Sequence, residues 1–297
     1  MLNIYQHIDK NKRVTFLVML SFVALIGILG WFIGENYLYI SGYASALIAI
    51  IISTIVSISS YYTADKTILS LSKAVEVKST DNVYLHSLVE NMSIASGIPK
   101  PKIYIIEDMA MNAFATGRDP NHSVICFTRG IIEGLEKREL EGVIAHEMSH
   151  IGNRDTLLMT IVSVLVGSIA LISDWFTRGA FYGGSRKRSS SSGLFFLIGL
   201  FLLLLSPIIA SFIRLAISRN REYLADATAA LITRYPKGLA DALAKLAADT
   251  SVLNTANSST SHLFIDDPVI GRKNSWLANL YNTHPPIEER IKRLYNM

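Results

Sequence analysis

Four stretches of this chain, residues 14–34, 38–60, 156–176 and 194–213, are nearly unbroken runs of apolar side chains. Each is about twenty residues long, which is what an α-helix needs to cross the roughly 30 Å hydrocarbon layer of a bilayer. Backbone N–H and C=O groups in lipid must be satisfied within the segment, so each run reads as a helix. The chain is therefore expected to carry two helical hairpins in a membrane. A cleaved export signal is the other reading of the first run, since Lys10, Lys12 and Arg13 precede it. The run is longer than a signal core and lacks a small-residue cleavage site before the second run, so it reads as a retained anchor.

Orientation follows from the flanking charges. Lys10, Lys12 and Arg13 lie before the first hairpin and Lys66, Lys73 and Lys78 after it, whereas its short connection, residues 35–37, holds only Glu35. Basic flanks stay in the cytoplasm, so both ends of the hairpin are expected there. Two further crossings return the chain to the same side. The expected organisation is thus an N-terminal transmembrane hairpin (1–62), a first cytoplasmic part (63–155), a second transmembrane hairpin (156–217) and a second cytoplasmic part (218–297). The connection within the second hairpin carries Arg178, Arg186, Lys187 and Arg188, against the charge rule, and a hairpin packed on protein is the alternative there. Residues 185–193 have no packing signature and read as a flexible connector. The net charge of +4 sits beside the apolar runs, where lipid headgroups account for it, and no nucleic-acid partner is implied. The single cysteine, Cys126, excludes an internal disulfide framework and fits a reducing compartment.

In the first soluble part, Leu85, Leu88, Val89 and Met92 recur at helical spacing over 84–95, and Gly97, Pro99 and Pro101 end that helix. Residues 103–106 and 124–127 are short β-branched and aromatic runs that predict strands, with 112–116 between them as an extended edge. A helix is predicted to start near Arg138, its stripe formed by Leu140, Val143 and Ile144.

That last helix carries His146, Glu147 and His150. Two histidines four residues apart lie one turn apart on one face, so both rings can reach one zinc ion. Glu147 lies beside them without being a ligand, placed to act as general base toward a water that the metal activates. A catalytic zinc takes three protein ligands and keeps one position open. Glu222 and Asp226, four residues apart just past the fourth apolar run, supply the candidates. Packing the third and fourth membrane helices together would bring Glu222 to the histidines as third ligand. Asp226 could then accept a hydrogen bond from the far nitrogen of a ligand histidine. Isolated Glu-x-x-x-Asp pairs usually mark only a solvated helix face.

With these motifs, the 112–117 segment and Thr283, His284, Pro285 and Pro286 in that order, the chain resembles the HtpX family of membrane zinc metalloproteases, relatives of the CAAX prenyl endopeptidases. The likeness spans nearly the whole length, with no departure at the metal-binding positions. It implies an α+β, zincin-like catalytic domain facing the bacterial cytoplasm on four transmembrane helices. One Zn2+ per chain is implied, with Glu222 as third ligand and misfolded or damaged membrane proteins cleaved in stress quality control. Asn112, Ala113, Phe114, Ala115 and Thr116 resemble the family's substrate-binding edge strand, and an unpaired edge can take an extended peptide through backbone hydrogen bonds. An ordinary strand of the sheet is the equal alternative. His284 and Arg290, around the start of a helix striped by Ile287, Ile291 and Leu294, could donate to an oxyanion, although a structural role outweighs this.

Two other readings compete. A prenyl-protein endopeptidase would use the same chemistry but needs a large intramembrane chamber, for which four apolar runs are few. A membrane scaffold would hold the metal only structurally, and against this Glu147 stands where a base belongs. A transporter is disfavoured because the apolar runs hold almost no ionisable residues.

Overall fold

A computed structural model describes residues 4–37, 40–182, 218–253, 260–266 and 285–297. The fourth apolar run, the serine-rich connector and His284 lie outside the described residues.

The first two runs form helices α1 (Ile4–Tyr37) and α2 (Gly42–Leu71). They pack antiparallel through small residues: a Cβ on Gly30 would meet the Ala49 Cβ at 2.4 Å, and one on Gly34 the Ser45 Cβ at 2.3 Å. Close backbone approach of this kind is how helices associate where lipid removes the hydrophobic drive. Their outer faces leave Phe16, Leu17, Leu20, Ile51, Ile55 and Ile58 exposed. Among the described residues these two helices are the ones long and apolar enough to cross a bilayer.

A four-stranded sheet follows in the order β1-β2-β4-β3. β1 (Val75–Glu76) is antiparallel to β2 (Lys102–Ile106), β2 is parallel to β4 (His122–Thr128), and β3 (Ala113–Asp119) is antiparallel to β4. The stretch read as an extended edge is thus the start of an edge strand. Residues 113–117 are all buried rather than alternating, because helices cover both faces of the sheet. On one face Phe114, Val124 and Cys126 pack against α1, α2 and α6 (Asp155–Tyr182). On the other Ala113, Ala115, Ile125 and Phe127 pack against α3 (Val83–Ser96) and α5 (Lys137–Gly152).

The third apolar run lies within α6, and its first half packs on protein, with Leu158, Ile161, Val162 and Leu165 buried. Three helices not anticipated in detail complete the second layer or cap the sheet: α4 (Arg129–Gly134), α7 (Arg219–Thr233) and α8 (Pro236–Ala248). A short 3-10 turn, Ser261–Leu263, and α9 (Ile287–Tyr295) close the chain. Gly142 lets α5 and α8 touch: a Cβ there would lie 2.7 Å from the Leu239 backbone nitrogen.

Candidate metal centre

Helix α5 places His146, Glu147 and His150 because its stripe of Leu140, Val143, Ile144 and Met148 is pinned against the sheet and α8, leaving the polar residues of the last turns facing α7. The helix opens with the Glu139 carboxylate accepting from the Glu136 backbone N–H at 2.6 Å. It ends at Asn153, where Arg154 takes a left-handed φ of 61° and turns the chain into α6. Glu222 and Asp226 occupy successive turns of α7, both buried, and face the two histidines.

The structure brings His146, His150 and Glu222 together. Their Nε2 atoms lie 3.2 Å apart, and the Glu222 carboxylate oxygens lie 3.7 Å from His146 Nε2 and 3.6 Å from His150 Nε2. Ligands about 2.0–2.1 Å from a tetrahedral zinc are separated by about 3.3 Å, so this donor set fits one such ion without rearrangement. The far nitrogens are equally specified. His146 Nδ1 lies 3.0 Å from Asp226 Oδ1, and His150 Nδ1 lies 3.1 Å from Asp155 Oδ2. Each histidine thus has a carboxylate to fix its ring and tautomer, leaving Nε2 toward the centre.

Asp155 has no counterpart among the expected site residues. Its other oxygen accepts from Asn11 Nδ2 at 2.7 Å and lies 3.3 Å from Arg221 Nε. Asn11 also donates to the Asn153 carbonyl at 2.9 Å, so α1 is tied to the corner that follows the histidines. A lone aspartate at the head of an apolar run reads as a helix-start residue. Its position five residues past His150, across the α5–α6 corner, is the one available signal.

Arg290, for which a structural role outweighs donation to an oxyanion, is 1% exposed and lies among the carboxylates of the site. Nε and Nη2 donate to the two Asp226 oxygens at 2.9 and 2.7 Å, and Nη1 lies 3.3 Å from Glu222 Oε2 and 3.4 Å from the Ile265 carbonyl. A guanidinium forked in this way positions carboxylates and has no donor left over.

The charges are unbalanced in an informative way. Glu147, Asp155, Glu222 and Asp226 are all buried, against the guanidiniums of Arg221 and Arg290. Four carboxylates facing two such cations leave net negative charge, which a protonated His150 meets in part and a divalent ion would meet more fully, since buried charges need partners. Burial pushes Glu147 up to about 7, opposed by His150 and by the Ala115 N–H on its carboxylate. Burial works against a charged His150, yet the Asp155 hydrogen bond and the Glu222 charge outweigh it and push the ring up to about 9. Burial depresses the His146 ring, aided by the Arg290 charge. For Asp226 burial is outweighed by Arg290 and His146, which hold its carboxyl below the usual range. A cation at the Nε2 atoms would displace the His150 proton and draw Glu147 back down.

β3 runs beside this centre. Thr128 N–H donates to the Asn112 carbonyl at 3.0 Å, which sets Asn112, Phe114 and Thr116 as the residues bonded to β4 and turns the N–H and C=O of Ala113 and Ala115 outward. The Ala115 N–H meets Glu147, and the Ala113 carbonyl accepts from Ile265 N at 3.0 Å. Asn112 Nδ2 donates to the Asp266 carbonyl at 2.8 Å, and Phe114 lies edge-on to Phe264.

A helix-borne histidine pair, a carboxylate from a second helix and a buried glutamate between the histidines, seated beside a sheet edge and joined to membrane-length helices, define a membrane metallopeptidase. The chain belongs to peptidase family M48, a zinc-dependent family whose model matches residues 79–297. It is similar to a protein named Protease HtpX homolog from Caldanaerobacter subterraneus subsp. tengcongensis, 42% identical over 300 residues, covering 99% of this chain and 98% of the relative. Homologues of the same name from Dictyoglomus turgidum (43% over 297 residues, 99% and 94% covered) and Tropheryma whipplei strain Twist (42% over 293, 99% and 98%) are equally similar. The crystal structure of S. mikatae Ste24p superposes with a TM-score of 0.52 at 19% identity, over 97% of this chain and 66% of that one, a likeness of fold.

Proposed function

We propose that this peptidase is an endopeptidase whose one Zn2+ is held by His146, His150 and Glu222, with Glu147 as the general base. The observation that carries the assignment is the convergence of the two Nε2 atoms, 3.2 Å apart, with one Glu222 oxygen 3.7 Å from the first and the other 3.6 Å from the second, and with one carboxylate behind each histidine. Zinc bound there would supply a Lewis acid for the scissile carbonyl and acidify the attacking water. Glu147 takes the proton from that water and returns it to the leaving amine, a double duty suited to a carboxylate whose pKa burial has raised toward neutrality. Asp226 and Asp155 hold the histidine rings, and Arg290 holds Asp226 and Glu222.

The substrate is an extended polypeptide lying along the outer edge of β3, taking over the outward backbone groups of Ala113 and Ala115 that the Ile265 N–H and the Glu147 carboxylate hold in its absence. Backbone pairing reads no particular side chain, which suits misfolded or damaged membrane proteins as substrates. Four crossings, with residues 63–155 and 218–297 in the bacterial cytoplasm, put the centre at the inner lip of the membrane; the basic flanks of the first hairpin support that orientation.

Glu147→Gln is the test. The amide keeps the shape and leaves the ligands intact but cannot take a proton, so the purified variant should keep a full complement of zinc and lose about 10²–10⁴-fold in cleavage of an unfolded membrane protein in detergent. Undiminished cleavage by that variant would exclude Glu147 as the base.

A further inference from the structure

A cavity of about 600 Å³ opens where α1, α2 and α6 meet the β3–β4 turn. Its lining combines the cations Lys12, Arg118 and Arg154 and the amide of Asn121 with the apolar side chains of Phe16, Met19 and Leu157. Asp119 also lines it, but its carboxylate is already engaged by the backbone N–H groups of Asn121 and His122 and by the His122 ring. Lys12 has no carboxylate partner among the described residues. Arg118 makes a 3.6 Å approach to Asp119 and lies 5.5 Å over the Tyr62 ring. Arg154 donates to the Arg118 carbonyl at 3.3 Å from a left-handed backbone conformation. The bulge at Gly117, with φ of 133°, turns the strand so that Arg118 reaches this lining.

The level of the cavity identifies its occupant. Lys12 lies just before the apolar run 14–34 and Tyr61 just after the run 38–60, so on the membrane reading of those runs the cavity lies at the bilayer surface, with Phe16 and Met19 one and two turns further along the first run. Beside it, Phe16, Leu17, Leu20 and Tyr62 are exposed. Three cations beside apolar side chains match a phosphate on acyl chains, and the volume is in the range of small-ligand sites, roughly 300–1,000 Å³.

We propose that this cavity binds the phosphate headgroup of an anionic phospholipid through Lys12, Arg118 and Arg154, with an acyl chain along Phe16 and Met19. The proposal rests on the membrane reading of α1 and α2 and is independent of the peptidase chemistry. It would join the first hairpin to the β3–β4 turn, at the far end of the edge strand that lines the metal centre.

The full chain, purified in a neutral maltoside detergent, is titrated with dioleoyl phosphatidylglycerol, dioleoyl phosphatidylcholine or inorganic phosphate, reading thermal stability and lipid bound by native mass spectrometry. Phosphatidylglycerol should bind and raise the melting temperature where the other two do not. Lys12→Gln with Arg118→Gln should weaken that response about tenfold or more, since each cation near an anionic lipid contributes about a fivefold factor. Lys66→Gln with Lys78→Gln, which removes equal charge from exposed positions outside the cavity, should leave it intact. An equal response to phosphatidylcholine overturns the proposal, as does an equal response to inorganic phosphate, which would mark a soluble-anion site. Equal loss in the two double variants, or loss in neither, overturns it too. The Glu147→Gln protein should bind the lipid like the wild type, so failure of the catalytic reading and failure of the lipid site are separable. Zinc content in lipid-free detergent establishes that the Lys12 and Arg118 variants are folded, and Lys12→Gln alone, an exposed change, repeats the test.

Discussion

Replacing Asp155 by alanine removes the carboxylate that faces His150 Nδ1 and strips Asn11 and Arg221 of a shared acceptor. The ligands themselves are untouched, so zinc should still bind, but to a ring no longer fixed in orientation or tautomer. Outer carboxylates on metal-binding histidines typically contribute 10–100-fold in affinity, about 1.4–2.7 kcal/mol, and both contacts to Asp155 are buried, where such hydrogen bonds are strongest. The His150 Nδ1 contact of 3.1 Å and the Asn11 bond of 2.7 Å place Asp155→Ala toward the upper part of that range. Asp155→Asn, which keeps one oxygen for His150 or Asn11 but not for both with full charge, should fall between it and the wild type. The assay is zinc competition against a chromogenic chelator, with protein and detergent held constant and folding checked by circular dichroism. A competition curve for Asp155→Ala that overlays the wild type, in folded protein, would refute the claim that this carboxylate sets the ligand.

Other perturbations reach the same centre by different routes. Glu222→Ala should lower zinc content sharply as well as activity, whereas Glu147→Gln lowers activity alone; metal analysis at full occupancy for Glu222→Ala would move the third ligand elsewhere. Arg290→Met takes the guanidinium away from the buried Asp226 and Glu222 carboxylates, leaving them only their histidine contacts, and should cost about 3–5 kcal/mol of stability, read as a lower denaturation midpoint of the metal-free protein. Zinc should restore part of that loss by neutralising Glu222, and an unchanged midpoint would dispose of Arg290 as a buried clamp. Ala115→Pro removes an outward N–H that takes no part in pairing with β4, so the sheet should survive, as prolines do on free strand edges. Peptide cleavage should nevertheless fall at least about tenfold with zinc retained, on the loss of a contact worth about 1.5 kcal/mol or more to a charged group. Unaltered kcat/KM would remove the β3 edge from substrate binding.

What the sequence revealed and what it concealed divide along the range of the interactions. His146, Glu147 and His150 are legible because one helical turn fixes their geometry locally, and the apolar stripe of Leu140, Val143 and Ile144 shows which way that turn faces. Glu222 lies far along the chain, and it became a candidate through the pairing of apolar runs rather than through its own neighbourhood. Asn11 gives no local sign and Asp155 only its position five residues past His150: their bond spans 144 positions and joins a membrane helix to a corner. Arg290 stands among Glu288, Glu289, Lys292 and Arg293, and its burial against Asp226 is a contact across 64 positions that its neighbours do not announce. The strand at 113–119 was readable as a strand. Its place at the edge was readable too, whereas the parallel pairing of β4 with β2 was not, a non-local choice that no turn residue announces.

The bond from Asn11 to Asp155 bears on how such a peptidase can be divided. An enzyme merely leashed to a bilayer could be cut free and studied as a water-soluble fragment, or regrafted onto a foreign anchor. Here one amide of the first lipid-embedded segment belongs to the scaffold around the histidines, so severing that segment would take away part of the reaction chamber's own framework. Location and catalysis are, in this chain, a single inheritance.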